Sequence, residues 1–496
     1  MQRTASSGLG SLSSGAVTAA ALAVQTGLAA LVGVIIAREF GRSAETDGFF
    51  VAYGLFLVVA LAANAIRVTI LPALAHARDT TRLAGETASY ALVLAALALP
   101  MLVVSTFASD ELARLLTADG SRVAQETASA ALPLMAIAAV AQLYAGLAAG
   151  ALAALDDYVV AALGYAVGSV LGLIVILVRL DADGIHAVAL GMVVTGAVAL
   201  AVPLAELALR ARRTGAPRGA VRPSGRRPAA RLGELGRGVA LPLALQSVYL
   251  ISLPFAAREG VGSVTSFGYA YLAAAAVVGV AASSLGLVTT VPLVRAGIDA
   301  AAAARHVVSS SWLALVCVGA VAGVFGLAGE NILRAFLGDS YASDVGEEVG
   351  RLVVALSPWA VVAVGFSVTF PLLFVAGHGK GLPALALAVV AGHVPLAWAS
   401  QEIGGLGGLA AAFAVSTGLA LAWMLHTLGA LRPAALGLVR AALTVGALAL
   451  LCFGIAGALL TPVPGAVAGT VVYAALIATV RPPGLRAAWR YLRALV

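Results

Sequence analysis

Charge is scarce in this sequence. Only 11% of its 496 residues are Asp, Glu, Lys or Arg, 61% are hydrophobic, and the mean hydropathy is +1.02. A water-soluble chain of this length needs far more charge to cover its surface, so the composition indicates a membrane protein. No polar block is long enough to fold as a separate soluble domain. Cysteine is nearly absent too: Cys317 and Cys452 each sit inside an apolar run, which excludes a disulfide framework and a zinc ligand set. Lys380 is the only lysine among abundant arginine, alanine and glycine, a pattern of coding bias rather than of chemistry. No HExxH, Walker loop, DxD or nucleophile–base pair stands in a loop long enough to form an active site. A non-enzyme without cofactor, metal or nucleic-acid partner is expected. Any uphill movement must then draw on the membrane potential, an ion gradient or the substrate's own gradient.

What the sequence does have is apolar runs of membrane-crossing length from end to end. They predict an all-α polytopic membrane protein of about fourteen transmembrane helices. The spans fall near 16–38, 48–76, 84–107, 127–152, 158–179, 185–209, 238–257, 263–293, 305–328, 348–376, 380–400, 405–430, 436–460 and 464–480. The N-terminal MQRTASSGLGSLSSG has neither an apolar core nor a cleavage site, so the first span is expected to be retained. If the N-terminus is cytoplasmic, 21 of the 30 basic residues fall on the inner side. Acids such as Asp110, Glu111, Asp119, Glu330 and Asp339 fall on the outer side. The positive-inside rule therefore predicts a multi-pass protein of the bacterial cytoplasmic membrane with both termini inside.

Residues 210–237 form the one obvious linker, rich in Pro, Gly and Arg. It is expected to be disordered, or a surface helix at its RLGELGRG end, and either an orientation anchor or a contact for anionic lipid headgroups. The two sides of the linker resemble each other at an offset of about 220 residues. NAIRVTILPALAHAR (64–78) faces SLGLVTTVPLVRAG (284–297), setting Pro72 against Pro292, and DGIHAVALGMVVTGAV (183–198) faces GGLGGLAAAFAVSTGL (404–419). Each copy has an even number of spans, so the two are parallel repeats, N- and C-lobes around a central cavity. The expected divisions are 1–209, the linker 210–237, 238–430, and a C-terminal helix pair with a basic tail in 431–496. A monomer is expected.

IAREFGRSAETDGFFVAY (36–53), followed by a segment ending in Leu71-Pro72, resembles the start of MviN/MurJ-type proteins. These are lipid II flippases of the multidrug/oligosaccharidyl-lipid/polysaccharide exporter superfamily. Thr46-Asp47-Gly48-Phe49-Phe50 matches that family's TDAFF-like stretch, and Val291-Pro292 corresponds in the second copy. The resemblance covers essentially the whole chain and implies two six-helix lobes plus a C-terminal pair. It also implies outward movement of a lipid-linked glycan precursor by alternating access. The family's arginines, suited to gripping a diphosphate, are missing here. Thr26 and Val32 stand in the first helix where they are expected, YGLFLVVALAAN in the second is purely apolar, and SFGYAYLAAAAVVG in the eighth has none.

Arg67 lies inside the second apolar run, where a charge at mid-membrane costs roughly 2.5–3.5 kcal/mol on insertion scales. Either it faces a cavity, where it would meet a phosphate, or its stem snorkels to the headgroups. Asn64 shares its helical face. Gln25, Gln246, Tyr269 and Tyr271 complete the candidate cavity residues. Each could equally serve in interhelical hydrogen bonding. Asp47 and Arg42 are outer-gate candidates, with Thr46 or Asp47 also able to cap the second helix. Asp157 and Lys380, in cytoplasmic turns, are inner-gate candidates or exposed turn residues. His393, alone in its span, reads as a packed or cavity residue.

Two other functions remain open in the sequence. One is a MATE-like drug or cation antiporter, which normally has twelve helices and carboxylates within its spans. The other is a non-transporting scaffold for envelope biosynthesis that recruits partners through 210–237 and the tail RPPGLRAAWRYLRALV.

Overall fold

The computed structural model describes residues 6–77, 80–118, 120–213, 228–296 and 299–495. Residues 214–227, the centre of the expected linker, lie outside the described residues, as do the side chains of Asn64, Pro72 and Pro292. Among the described residues every regular element is helical, and twelve helices are long and apolar enough to cross a membrane. The molecule is a multi-pass membrane protein. The chain divides into two compact units, Met1–Pro254 and Phe255–Val496.

The first unit contains α1 (Ser6–Phe40), α2 (Ala44–His76), α3 (Thr80–Phe107) and the short amphipathic α4 (Ser109–Leu116). They are followed by α5 (Arg122–Ala153), α6 (Val159–Asp183), α7 (His186–Arg213) and most of α8 (Pro228–Ala257). With no hydrophobic drive between helices in lipid, association rests on close backbone approach at small residues. In α6 the stripe Gly164, Gly168, Gly172 does this. A Cβ on Gly168 would lie 2.6 Å from the Thr195 carbonyl oxygen of α7, and one on Gly172 2.0 Å from the Thr195 hydroxyl. In α5, Gly146 and Gly150 serve α2 similarly, against Ala63 and Ile70.

The unit boundary falls inside α8, between Pro254 and Phe255. The cause is visible in the packing: Leu235 and Val239 join a core with Ile66, Ile70, Leu83 and Leu143. The RLGELGRG stretch is the first part of α8, and Arg231 is 2% exposed, not part of a basic surface. A guanidinium withdrawn from water needs acceptors. Arg231 donates to Glu86, to Glu234 at 3.0 Å and to the Tyr90 hydroxyl at 2.8 Å, with its head 4.6 Å from the Tyr90 ring centre.

The second unit contains α9 (Ser263–Ala296), α10 (Ala300–Leu337), α11 (Asp344–Ala355), α12 (Ser357–Val375) and α13 (Leu382–Thr427). It ends with α14 (Leu431–Leu459), α15 (Pro462–Val480) and α16 (Pro483–Leu495). The two helices expected at 380–400 and 405–430 form one continuous element, α13. It is broken at Gly404 and at Gly405, whose φ of 54° lies in the left-handed region that favours glycine. At 46 residues α13 would be about 70 Å long if straight, more than twice the hydrocarbon thickness. The break therefore falls where two spans have to meet. The C-terminal pair is anchored on α10: Phe453 and Tyr473 cover Gly323 and Gly319, and the Tyr473 hydroxyl donates to the Val316 carbonyl at 3.1 Å.

Candidate functional site

Helix α2 carries three of the sequence-marked residues, Asp47, Asn64 and Arg67, and its start is fixed locally. Ser43 is the N-cap, accepting from the Thr46 amide at 3.2 Å, while the Thr46 hydroxyl accepts from the Ser43 amide at 2.9 Å. The cap is thus Ser43 with Thr46 reciprocating, rather than Thr46 or Asp47 as first cap. Asp47 follows in the first turn, where a carboxylate complements the helix dipole, and is 6% exposed. Arg42 just ahead of it is half-buried. Gly48 permits the approach to α5, since a Cβ there would meet the Ala124 carbonyl oxygen at 2.2 Å.

Further along α2, Arg67 is exposed at the surface of its unit. Its stem passes over Gly150 of α5, with the Arg67 Cγ 3.6 Å from where a Cβ on Gly150 would be. Tyr165 of α6 lies nearby. The arginine therefore stands over a glycine-floored surface bordered by α5 and α6. Gln25 on α1 and Gln246 on α8 are half-buried.

Asp157 does not stand free in its turn. It accepts from the amides of Val159 and Val160 at 3.1 and 3.2 Å, capping α6, and pairs with Arg210 of α7. Arg210 also holds Glu206 at 2.6 Å, so three charges fasten the α5–α6 turn to the end of α7. Lys380 is exposed, on a single 3-10 turn between α12 and α13.

Tyr269 and Tyr271 are packed within the second unit. Tyr269 meets Tyr341 edge-on at 5.6 Å, and Tyr271 lies 5.2 Å from Trp359. Both rings are buried. Phe413, which sequence reasoning missed, is the hub: Phe267, Tyr271, Trp359 and His393 lie within 5.5–6.0 Å of it. His393 is fully buried and its Nδ1 lies 2.8 Å from the Ser416 hydroxyl.

A second unforeseen feature is a cavity of about 760 Å³ in the second unit, walled by α10, α12 and α14. Ser357 supplies the only side-chain hydroxyl among its lining residues; the rest are Val, Leu, Ala, Gly, Pro and Phe. Glycines keep it open: a Cβ on Gly446 or Gly454 of α14 would meet nothing within 4 Å. These glycines are the signal the sequence offers for it.

No family model and no curated relative matches the sequence. Solved structures do match. The lipid II flippase MurJ, in its inward closed conformation, aligns with a TM-score of 0.71 over 93% of this chain and 98% of its own. The chain has the MurJ fold. At 14% sequence identity that likeness is one of architecture. An inward-facing multidrug resistance MATE family transporter of the MOP superfamily aligns with a TM-score of 0.59 at 17% identity, covering 82% of this chain and 95% of its own. A MOP superfamily transporter from Pyrococcus furiosus gives 0.54 at 17% identity, with coverage of 84% and 94%. The MurJ-like and MATE-like architectures are thus both represented, and the MurJ one fits more of the chain.

Proposed function

We propose that the chain is an alternating-access flippase that moves a lipid-linked cell-wall or envelope glycan precursor outward across the bacterial cytoplasmic membrane. The observation that carries this reading is the apolar cavity of the second unit, in a chain that shares the MurJ fold along almost its whole length. An amphiphile needs two kinds of surroundings, a dry surface for its chain and a polar one for its head. The cavity offers about 760 Å³ with a single side-chain hydroxyl, in the range of small-molecule sites and suited to a hydrocarbon chain. Within the first unit, and taken by itself, Arg67 is the phosphate candidate, because a guanidinium suits phosphate and is costly to leave facing lipid. Asn64, Gln25 and Gln246 are proposed to assist it, with Asp47, Arg42, Asp157 and Lys380 as gate residues. The charged network around Asp157 favours a structural part in any such gate.

The second reading, a drug or cation antiporter, is favoured by the MATE similarity, although the cavity lining holds none of the carboxylates such an antiporter normally carries in its spans. Reconstituted protein separates the two. Proteoliposomes carrying defined polyprenyl-diphosphate sugars are assayed for flipping, in parallel with uptake of lipophilic cationic drugs. Flipping of a lipid-linked sugar supports the first reading. Drug movement without flipping replaces it with the second, and movement of neither favours a scaffold.

A further inference from the structure

The last helix follows directly on the last span. α15 has 19 residues, about 28 Å, just enough for the hydrocarbon core. The chain turns at Arg481, in the left-handed conformation, and α16 begins at Pro483. Two contacts fix its course. Gly484 abuts the indole of Trp312, where a Cβ would come within 2.5 Å, and the Tyr491 hydroxyl lies 3.1 Å from His306 Nδ1. α16 therefore runs along the first turns of α10 in the opposite direction, away from the membrane boundary.

On α14, Arg440 is exposed, and from it to Leu459 the helix holds no charge over about 30 Å. Gly437 packs on Val308 and Val445 on Gly319, so Arg440 lies close to the level of Trp312. Arg440 and Arg481 thus mark one boundary plane, and α16 lies beyond it, where the headgroup layer is roughly 5–8 Å thick. Its inner face, with Ala488 fully buried, is taken up by α10. Its outer face presents Arg486, Trp489 and Arg490, all exposed, with Trp489 at 50%. Positions 486, 489 and 490 share one side of a helix. Residues 481–496 contain four arginines and no acid. Arg305, exposed on α10, adds its charge beside Tyr491.

We infer that α16, with Arg440 and Arg481, is a binding site for the phosphates of anionic phospholipids, seated at the membrane boundary of the second unit. The reasoning is one of level and chemistry. An exposed tryptophan flanked by arginines one turn apart, beyond the end of a span, is matched in depth and polarity to the headgroup layer, with the ring toward the acyl boundary. Juxtamembrane arginines are drawn to an anionic surface. Arg481 and Arg486 spend one donor each on the Ala478 and Val480 carbonyls at the end of α15. Their remaining guanidinium donors are available to phosphate oxygens. This site is independent of the transport reading: it depends on the end of the fold and not on what is carried.

The test uses the full chain in detergent, titrated with phosphatidylglycerol, with phosphatidylcholine and with inorganic phosphate, reading retained lipid by native mass spectrometry. Phosphatidylglycerol is expected to bind in preference to phosphatidylcholine. R486Q/R490Q is expected to weaken it by about tenfold or more, and R486K/R490K to retain most of it. A second measurement compares wild type with W489F in nanodiscs of brominated phospholipid, where the difference signal isolates quenching of Trp489. Unchanged lipid retention in R486Q/R490Q, equal competition by inorganic phosphate, or no quenching at Trp489 would each overturn the inference. Unchanged retention would point to an acidic protein as the occupant of this face.

Discussion

His393 and Ser416 meet at 2.8 Å across the break in α13, one residue on each side of Gly404–Gly405. The bond ties the two spans of this element together inside the aromatic cluster around Phe413. Removing the hydroxyl in Ser416→Ala leaves a fully buried imidazole nitrogen without that partner, at a cost of about 1–3 kcal/mol. Thermal unfolding in detergent is expected to show a lower midpoint for Ser416→Ala. An unchanged midpoint would mean that the bond adds nothing to holding the spans.

Arg231 pairs with both Glu86 and Glu234, and it is 2% exposed. The two carboxylates are 19% and 26% exposed, too enclosed for water to replace the guanidinium fully. Arg231→Met therefore takes this cation away from Glu86 between α3 and α8, and a destabilisation of roughly 3 kcal/mol is expected. Adding Glu86→Gln to Arg231→Met should recover part of it, because the carboxylate that lost this cation is removed. A double-mutant cycle by chemical denaturation measures this, and strict additivity of the two changes would contradict the coupling.

How far these features could be read in advance follows from the physics of each. The spans were legible because hydrocarbon thickness fixes their length and apolarity. The α13 break was legible because Gly-Gly separates two such runs. Arg231 was misread because composition gives it the same signal as its neighbours in the linker. Its burial depends on Glu86 and Tyr90, some 140 residues away in sequence. The Arg67 surface was half legible, since a charge in an apolar run stands out. Gly150 and Tyr165, which border it, look like any other small or aromatic membrane residue. The cavity on α14 was illegible by motif, as it consists of what glycines leave empty.

Glycines in this chain fall into two kinds with opposite expectations. A Cβ on Gly172 would lie 2.0 Å from the Thr195 hydroxyl and 2.6 Å from the Gly191 carbonyl oxygen, so Gly172→Ala must push α6 from α7. A loss of about 1–3 kcal/mol is expected. A Cβ on Gly279 meets nothing within 4 Å, and Gly279→Ala should be neutral, or stabilising by up to about 1 kcal/mol through helix propensity. Melting of the two variants side by side is the check, and equal behaviour would contradict the packing described for α6 and α7.

Gly454 is exposed on α14 and lines the cavity, with room for a side chain. Gly454→Leu should therefore fill part of the cavity without disturbing the fold. If an acyl or polyprenyl chain lies there during transport, flipping in proteoliposomes drops severalfold while the melting midpoint is kept, since about one isobutyl group of apolar volume is taken away. Wild-type flipping by a stably folded Gly454→Leu protein would remove the cavity from the transport path.

Arg67 makes the sharpest claim about substrate. It is exposed on its unit, its stem rests over Gly150, and no described ion pair involves it, so folding gains little from its charge. Arg67→Ala is accordingly expected to leave the melting midpoint within about 0.5 kcal/mol of wild type. A guanidinium–phosphate contact is worth about 1.5–3 kcal/mol, so flipping of a diphosphate-linked sugar at limiting substrate should fall by roughly tenfold or more. Arg67→Lys keeps the charge but not the fork, and should lie between the two. Lipids with an uncharged head, if carried at all, should be indifferent to the substitution. Equal flipping by wild type and Arg67→Ala would assign the arginine to snorkelling toward the headgroups and leave the phosphate to be met elsewhere.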